Sequence, residues 1–77
     1  MALSQQRFKY VKVYVPGTKG IIQELGNEIS FGDVEEAFSG LAFYYVQRSS
    51  SLEVYAGEGF DRRVVYVYYV DDPRSAN

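Results

Sequence analysis

A small α+β domain, with a four- to five-stranded mixed or antiparallel sheet and one short helix on one face, is the fold class this sequence predicts. Three observations point to it. Stretches rich in β-branched and aromatic residues recur at 7–15, 41–48, 52–56 and 64–70, the composition that suits a pleated strand. A single short amphipathic pattern runs from Asp33 to Gly40. Between them lie Pro, Gly and Ser clusters that break the chain. At 77 residues there is room for one domain, which buries only roughly 60–65% of its unfolded surface. Its expected stability is small, on the order of 3–5 kcal/mol. We place the domain at 7–70, with flexible tails at 1–6 and 71–77.

Residues 7–15 alternate, so Val11, Val13 and Val15 point one way and Phe8, Tyr10, Lys12 and Tyr14 the other. Pro16-Gly17 then supplies a fixed φ followed by a residue tolerant of positive φ, the signature of a type II turn over 15–18. Ile21, Ile22 and Leu25 fit either a returning strand or one helical turn. Gly20 and two β-branched residues favour the strand. After the break at Gly26-Asn27, Asp33 followed by Glu36 reads as an N-cap with a carboxylate three residues on. Val34, Ala37 and Phe38 share one face of the helix, and Gly40 ends it.

Residues 41–48 alternate again, with Leu41, Phe43 and Tyr45 opposite Tyr44, Val46 and Arg48. Ser49-Ser50-Ser51 turns the chain into a partner strand at 52–56, and Gly57-Glu58-Gly59-Phe60-Asp61 turns it once more. The last strand, Val64 to Val70, is apolar or aromatic on both faces, which marks it as central.

The element order ββαβββ resembles the ubiquitin-like β-grasp arrangement. That resemblance implies that the first and last strands lie parallel in the middle of the sheet. A small rolled barrel is the competing architecture. There is no Gly-Gly terminus, so the resemblance implies nothing about conjugation.

Chemistry is sparsely represented. The chain has no His and no Cys, which removes thiolate metal sites, disulfides and the common nucleophile–base pairs. Asp33, Glu35 and Glu36 belong to a helix start, and no set of carboxylates has the spacing of a metal loop. We expect no enzyme activity, no cofactor and no metal. Gly57-Glu58-Gly59 leads into a strand rather than a helix and has a carboxylate between its glycines, so it reads as a hairpin turn and not a phosphate loop. Arg62 and Arg63 read as surface ion-pairing groups. The formal charge of −2 argues against capture of nucleic acid or membrane by net field. No stretch approaches the ~20 apolar residues that span a bilayer, and residues 1–6 lack the pattern of a secretory signal. The expected location is cytoplasmic.

Eight tyrosines exceed what so small a core satisfies. If the helix covers the valines, the core collects Val11, Val13, Val15, Val34, Phe38, Phe43, Val54, Val65 and Val67. The opposite face then shows Phe8, Tyr10, Tyr14, Tyr44, Tyr55, Tyr66 and Tyr68, with Lys12 and Arg48 among them. Cross-strand tyrosine pairs on a wet sheet face are the plain reading of that set. The functional reading is a docking surface for a protein partner, used by an adaptor, assembly factor or small phage-type inhibitor, through this face or an exposed strand edge. Self-association as a dimer belongs to the same class. The alternative is single-stranded nucleic acid stacked on the same rings beside Lys12 and Arg48.

Overall fold

The computed structural model describes residues 6–57 and 63–74. The turn expected through residues 58–61, Arg62 and the outer parts of both tails lie outside the described residues. Five strands and one helix follow the predicted order: β1 (Arg7–Tyr14), β2 (Ile21–Ser30), α1 (Phe31–Phe38), β3 (Phe43–Gln47), β4 (Ser51–Ala56) and β5 (Val64–Tyr69). They form one α+β unit whose sheet has the order β2-β1-β5-β4-β3. Every neighbouring pair is antiparallel.

The first and last strands lie side by side in the middle, as the β-grasp resemblance implies, but they run antiparallel. Chain direction explains the difference. The helix carries the chain from the β2 edge to the β3 edge without reversing it, and β3-β4-β5 then reverses twice. β5 thus keeps the direction of β2, opposite to β1.

The turn from β1 to β2 is of type II. Thr18 N–H donates to the Val15 carbonyl at 3.1 Å, and Gly17 takes φ +90°, a value that side-chain-bearing residues rarely adopt. Gly20 serves a second purpose. A Cβ there would lie 2.6 Å from Lys12 Cγ and 2.9 Å from the Val13 carbonyl oxygen, so only glycine lets the returning backbone come this close to β1. Residues 21–25 are strand, as expected, within a longer β2 that reaches Ser30.

β2 also interrupts its own register. Phe8 pairs with Ile29, while Tyr10 pairs with Glu24, so the ladder bulges between them. Strict alternation breaks at Lys9, and Phe8 turns to the face of Val11 instead of joining Tyr10.

The helix starts one turn earlier than the sequence suggests. Ser30, not Asp33, is the N-cap. Asp33 N–H donates to Ser30 Oγ at 3.2 Å and Ser30 N–H donates to Asp33 Oδ2 at 2.8 Å, a reciprocal capping box. The Ser30 backbone bond holds the Asp33 carboxyl below the usual carboxylate range, with the Ser30 hydroxyl assisting. Starting at Phe31 aims Val34 and Phe38 at the sheet, where both are buried. Ala37, expected on that face, is exposed.

Directly paired residues of a ladder share a face, so the registers sort the side chains. Facing the helix are the rows Tyr45-Val54-Tyr66-Val13-Ile21 and Gln47-Leu52-Tyr68-Val11-Gln23, with Phe43, Ala56 and Val64 beside them. Phe8, Leu52 and Val54 are fully buried there. Phe38 meets Tyr66 edge-to-face at 4.9 Å between centroids, and Phe8 meets Tyr68 at 6.0 Å.

Two expectations about the core are therefore corrected. Tyr66 and Tyr68 lie on the helix side, and Val65 and Val67 lie on the other. Both faces of β5 are apolar enough for either to seat a helix. The matching of Val11 with Tyr68 and Val13 with Tyr66 decides which one does. Val13 and Val15, expected as core, are 41% and 46% exposed; Val15 lies beyond the end of β1, where the turn begins.

Candidate functional site

The helix-free face of the sheet gathers most of the expected surface. One row across it is Tyr44-Tyr55-Val65-Tyr14, the next Val46-Glu53-Val67-Lys12-Ile22, and a third Ser51-Tyr69-Tyr10-Glu24. No element among the described residues covers this face, yet Val65 is only 1% exposed and Val67 5%. Their ladder neighbours on this face are long amphipathic side chains. Tyr14 and Tyr55 stand on either side of Val65, and the stems of Lys12 and Glu53 on either side of Val67. Long amphipathic side chains can shield apolar surface while their polar ends stay wet.

The rings are held in fixed relations. Tyr44 and Tyr55 stack with centroids 4.9 Å apart and planes 7° from parallel. Arg63 places its guanidinium 5.1 Å from the centre of the Tyr44 ring and donates to the Tyr44 hydroxyl at 2.9 Å. Lys12 Nζ stands 5.4 Å from the Tyr14 ring centre, and Arg74 stands 6.0 Å from that of Tyr10. A cation at such a distance is attracted by the ring quadrupole.

The acidic groups of the face are distributed among these cations. Glu53 accepts from Arg48 and from the Tyr55 hydroxyl, both at 3.3 Å. Asp72 accepts from Arg74 through its side chain at 2.9 and 3.0 Å. The Arg74 bonds hold the Asp72 carboxyl below its ordinary range. Burial, followed by the neighbouring Glu53 carboxylate, pushes the Tyr55 hydroxyl above its ordinary range.

Of the residues the sequence assigned to a partner surface, the structure brings Tyr10, Lys12, Tyr14, Tyr44 and Tyr55 to one face, with Arg48 joined to them through Glu53. Phe8, Tyr66 and Tyr68 are not among them. Phe8 is buried by the bulge, and Tyr66 and Tyr68 pack against Phe38 and Phe8. Sequence reasoning missed Tyr69, Glu53, Arg63 and Arg74. The signal for Tyr69 is present, since it alternates with Val65 and Val67 and so shares whichever face they take. Arg63 continues the same alternation one step before Val65.

Among the described residues no group of His, Cys, Asp and Glu could hold a metal ion. Among the described residues, too, no helix is long and apolar enough to cross a membrane. Compared with family models, curated proteins and solved structures, the chain matches none of them, so the reading of this face rests on its geometry.

Proposed function

We propose that this protein is a non-catalytic interaction module that docks on a larger protein through the helix-free face of its sheet. The stacked Tyr44–Tyr55 pair clamped by Arg63 carries the reading. Tyr and Arg are the side chains enriched where binding energy concentrates, because they contribute large contact area with few torsions to freeze. Here the rings are already fixed by stacking and by cations before a partner arrives, which lowers the ordering cost of association. Mixed charge supports a protein partner over a polyanion, since Glu24, Glu53 and Asp72 stand among the cations and the chain carries −2 overall.

The experiment is capture from the source cells with the tagged wild type and a Tyr44→Ser/Tyr55→Ser variant side by side, with mass spectrometry of protein and nucleic acid. A partner lost with the double variant, while the variant keeps wild-type circular dichroism, supports the assignment. Retention of every partner by a folded variant overturns it.

The cations beside Tyr10, Tyr14 and Tyr44 favour one second reading, single-stranded nucleic acid stacked on the face. It requires oligonucleotide binding that weakens steeply with salt and falls with Lys12→Ala and Arg63→Ala. No binding at low salt eliminates it.

A further inference from the structure

The two edges of the sheet are built differently. β2 carries Glu24 and Glu28, ties Glu28 to Lys9 at 3.5 Å, and bulges against β1. Charge and irregularity of this kind keep an edge from pairing with another chain. β3 has neither. Its sequence is Phe43-Tyr44-Tyr45-Val46-Gln47, with no charged residue, no proline and an unbroken register against β4.

Its hydrogen-bonding groups are also placed for pairing. Arg48 N–H donates to Ser51 O at 2.9 Å, and Gly57 N–H donates to Ala42 O at 2.9 Å. The even-numbered residues therefore face β4, and Phe43, Tyr45 and Gln47 point their N–H and C=O groups outward. Among the described residues those groups meet no strand. Exposed beside them are Tyr44 at 48%, Tyr45 at 43% and Leu41 at 59%.

We infer that β3 pairs antiparallel with β3 of a second copy of this chain about a two-fold axis at Tyr45. The strand is complementary to itself in that register. Tyr45 meets its own counterpart, Phe43 meets Gln47, and Tyr44 meets Val46, so each outward N–H and C=O finds a partner. No like charges are opposed, since Arg48 at one end stands across from Ala42. Phe31, edge-on to the Tyr45 ring at 5.1 Å, holds that ring in place at the axis. The two sheets join into one with both helices on the same side, and the tyrosine face of each copy continues into that of the other. A closed isologous contact of this kind uses up both exposed edges at once. The inference stands apart from the docking reading, which concerns the face and not the edge.

The test is the solution mass of the full chain from micromolar to millimolar concentration, by sedimentation equilibrium, for wild type, Tyr45→Lys and Tyr45→Pro. Lysine would place two like charges on the axis, and proline deletes only an outward N–H, which an edge position tolerates. The wild-type mass is expected to double with concentration, while both variants keep the mass of one chain and wild-type circular dichroism. One chain at every wild-type concentration overturns the inference, and so does doubling in folded variants. Should the variants fail to fold, amide exchange of the wild type decides. Phe43, Tyr45 and Gln47 amides that slow with concentration support the pairing, and exchange independent of concentration overturns it.

Discussion

The two faces of this sheet solve the same problem by different means. On the helix side Phe8, Leu52 and Val54 are buried by other apolar groups, and packing alone excludes water. On the other side Val65 and Val67 are buried too, between tyrosines and the stems of Lys12 and Glu53 in the ladder. The comparison shows that a sheet of this size can be dry on both faces with a helix on only one. The second cover presents phenol hydroxyls and charges outward, so it can shield the sheet and meet a partner with the same side chains.

The sharpest way to break the comparison starts with the conventional core. Phe8→Ala is expected to cost about 3–5 kcal/mol, comparable to the whole stability anticipated for so small a chain. Urea titration followed by circular dichroism should find little folded protein. Val65→Ala tests the tyrosine cover directly. Removing two buried carbons costs about 1.5–2 kcal/mol, and a loss under about 0.5 kcal/mol would mean that the cover is wet. Ser30→Ala, which opens the capping box, is expected to cost about 1 kcal/mol, visible as a lower urea midpoint with an unchanged slope.

Alkaline titration asks the same question of the rings. Burial raises Tyr68 above its ordinary range on the helix side, and burial with Glu53 raises Tyr55 on the other. In the unfolded chain both ionise near pH ~10. Their contribution is therefore fully present below that pH and is lost as pH rises through the higher folded values. The tyrosinate absorbance of these two side chains should appear only together with unfolding, above pH ~10. A protein that reaches the absorbance of all eight tyrosinates while keeping its folded circular dichroism would contradict the burial. The smallest effect belongs to Tyr44→Phe, which removes the acceptor for Arg63. Stability should move by no more than ~0.5 kcal/mol, and partner binding should fall.

Local chemistry made much of the fold legible. Pro16-Gly17 announced its turn, the alternation at 41–48 placed Tyr44 opposite Tyr45, and the valine–tyrosine pattern at 64–70 marked a central strand. Ser30 with Asp33 held the capping-box spacing, although Asp33 with Glu36 offered a rival one turn later. What alternation cannot state is which of two apolar faces receives the helix. Residues that share a face are fixed by a period of two, but coverage is decided by tertiary pairing. That single ambiguity exchanged Val65 and Val67 with Tyr66 and Tyr68. The direction of β5 against β1 was equally invisible, because it depends on where the helix sets the chain down. Tyr10, Lys12, Tyr14, Tyr44 and Tyr55 were found because each lies on a strand with no irregularity between it and its neighbours on the face.

The bulge opposite Lys9 has a consequence for which rings such a surface shows. Along β1 it acts as a shift of phase, leaving Phe8 in one half-cycle and Tyr10 onward in the other. An aromatic ring is thus assigned to the interior or the outside by where the ladder is irregular, with no exchange of one amino acid for another. For a small chain with thirteen aromatic residues, eight Tyr and five Phe, the position of one such irregularity decides which rings its outer face shows while the rest of the sheet stays paired.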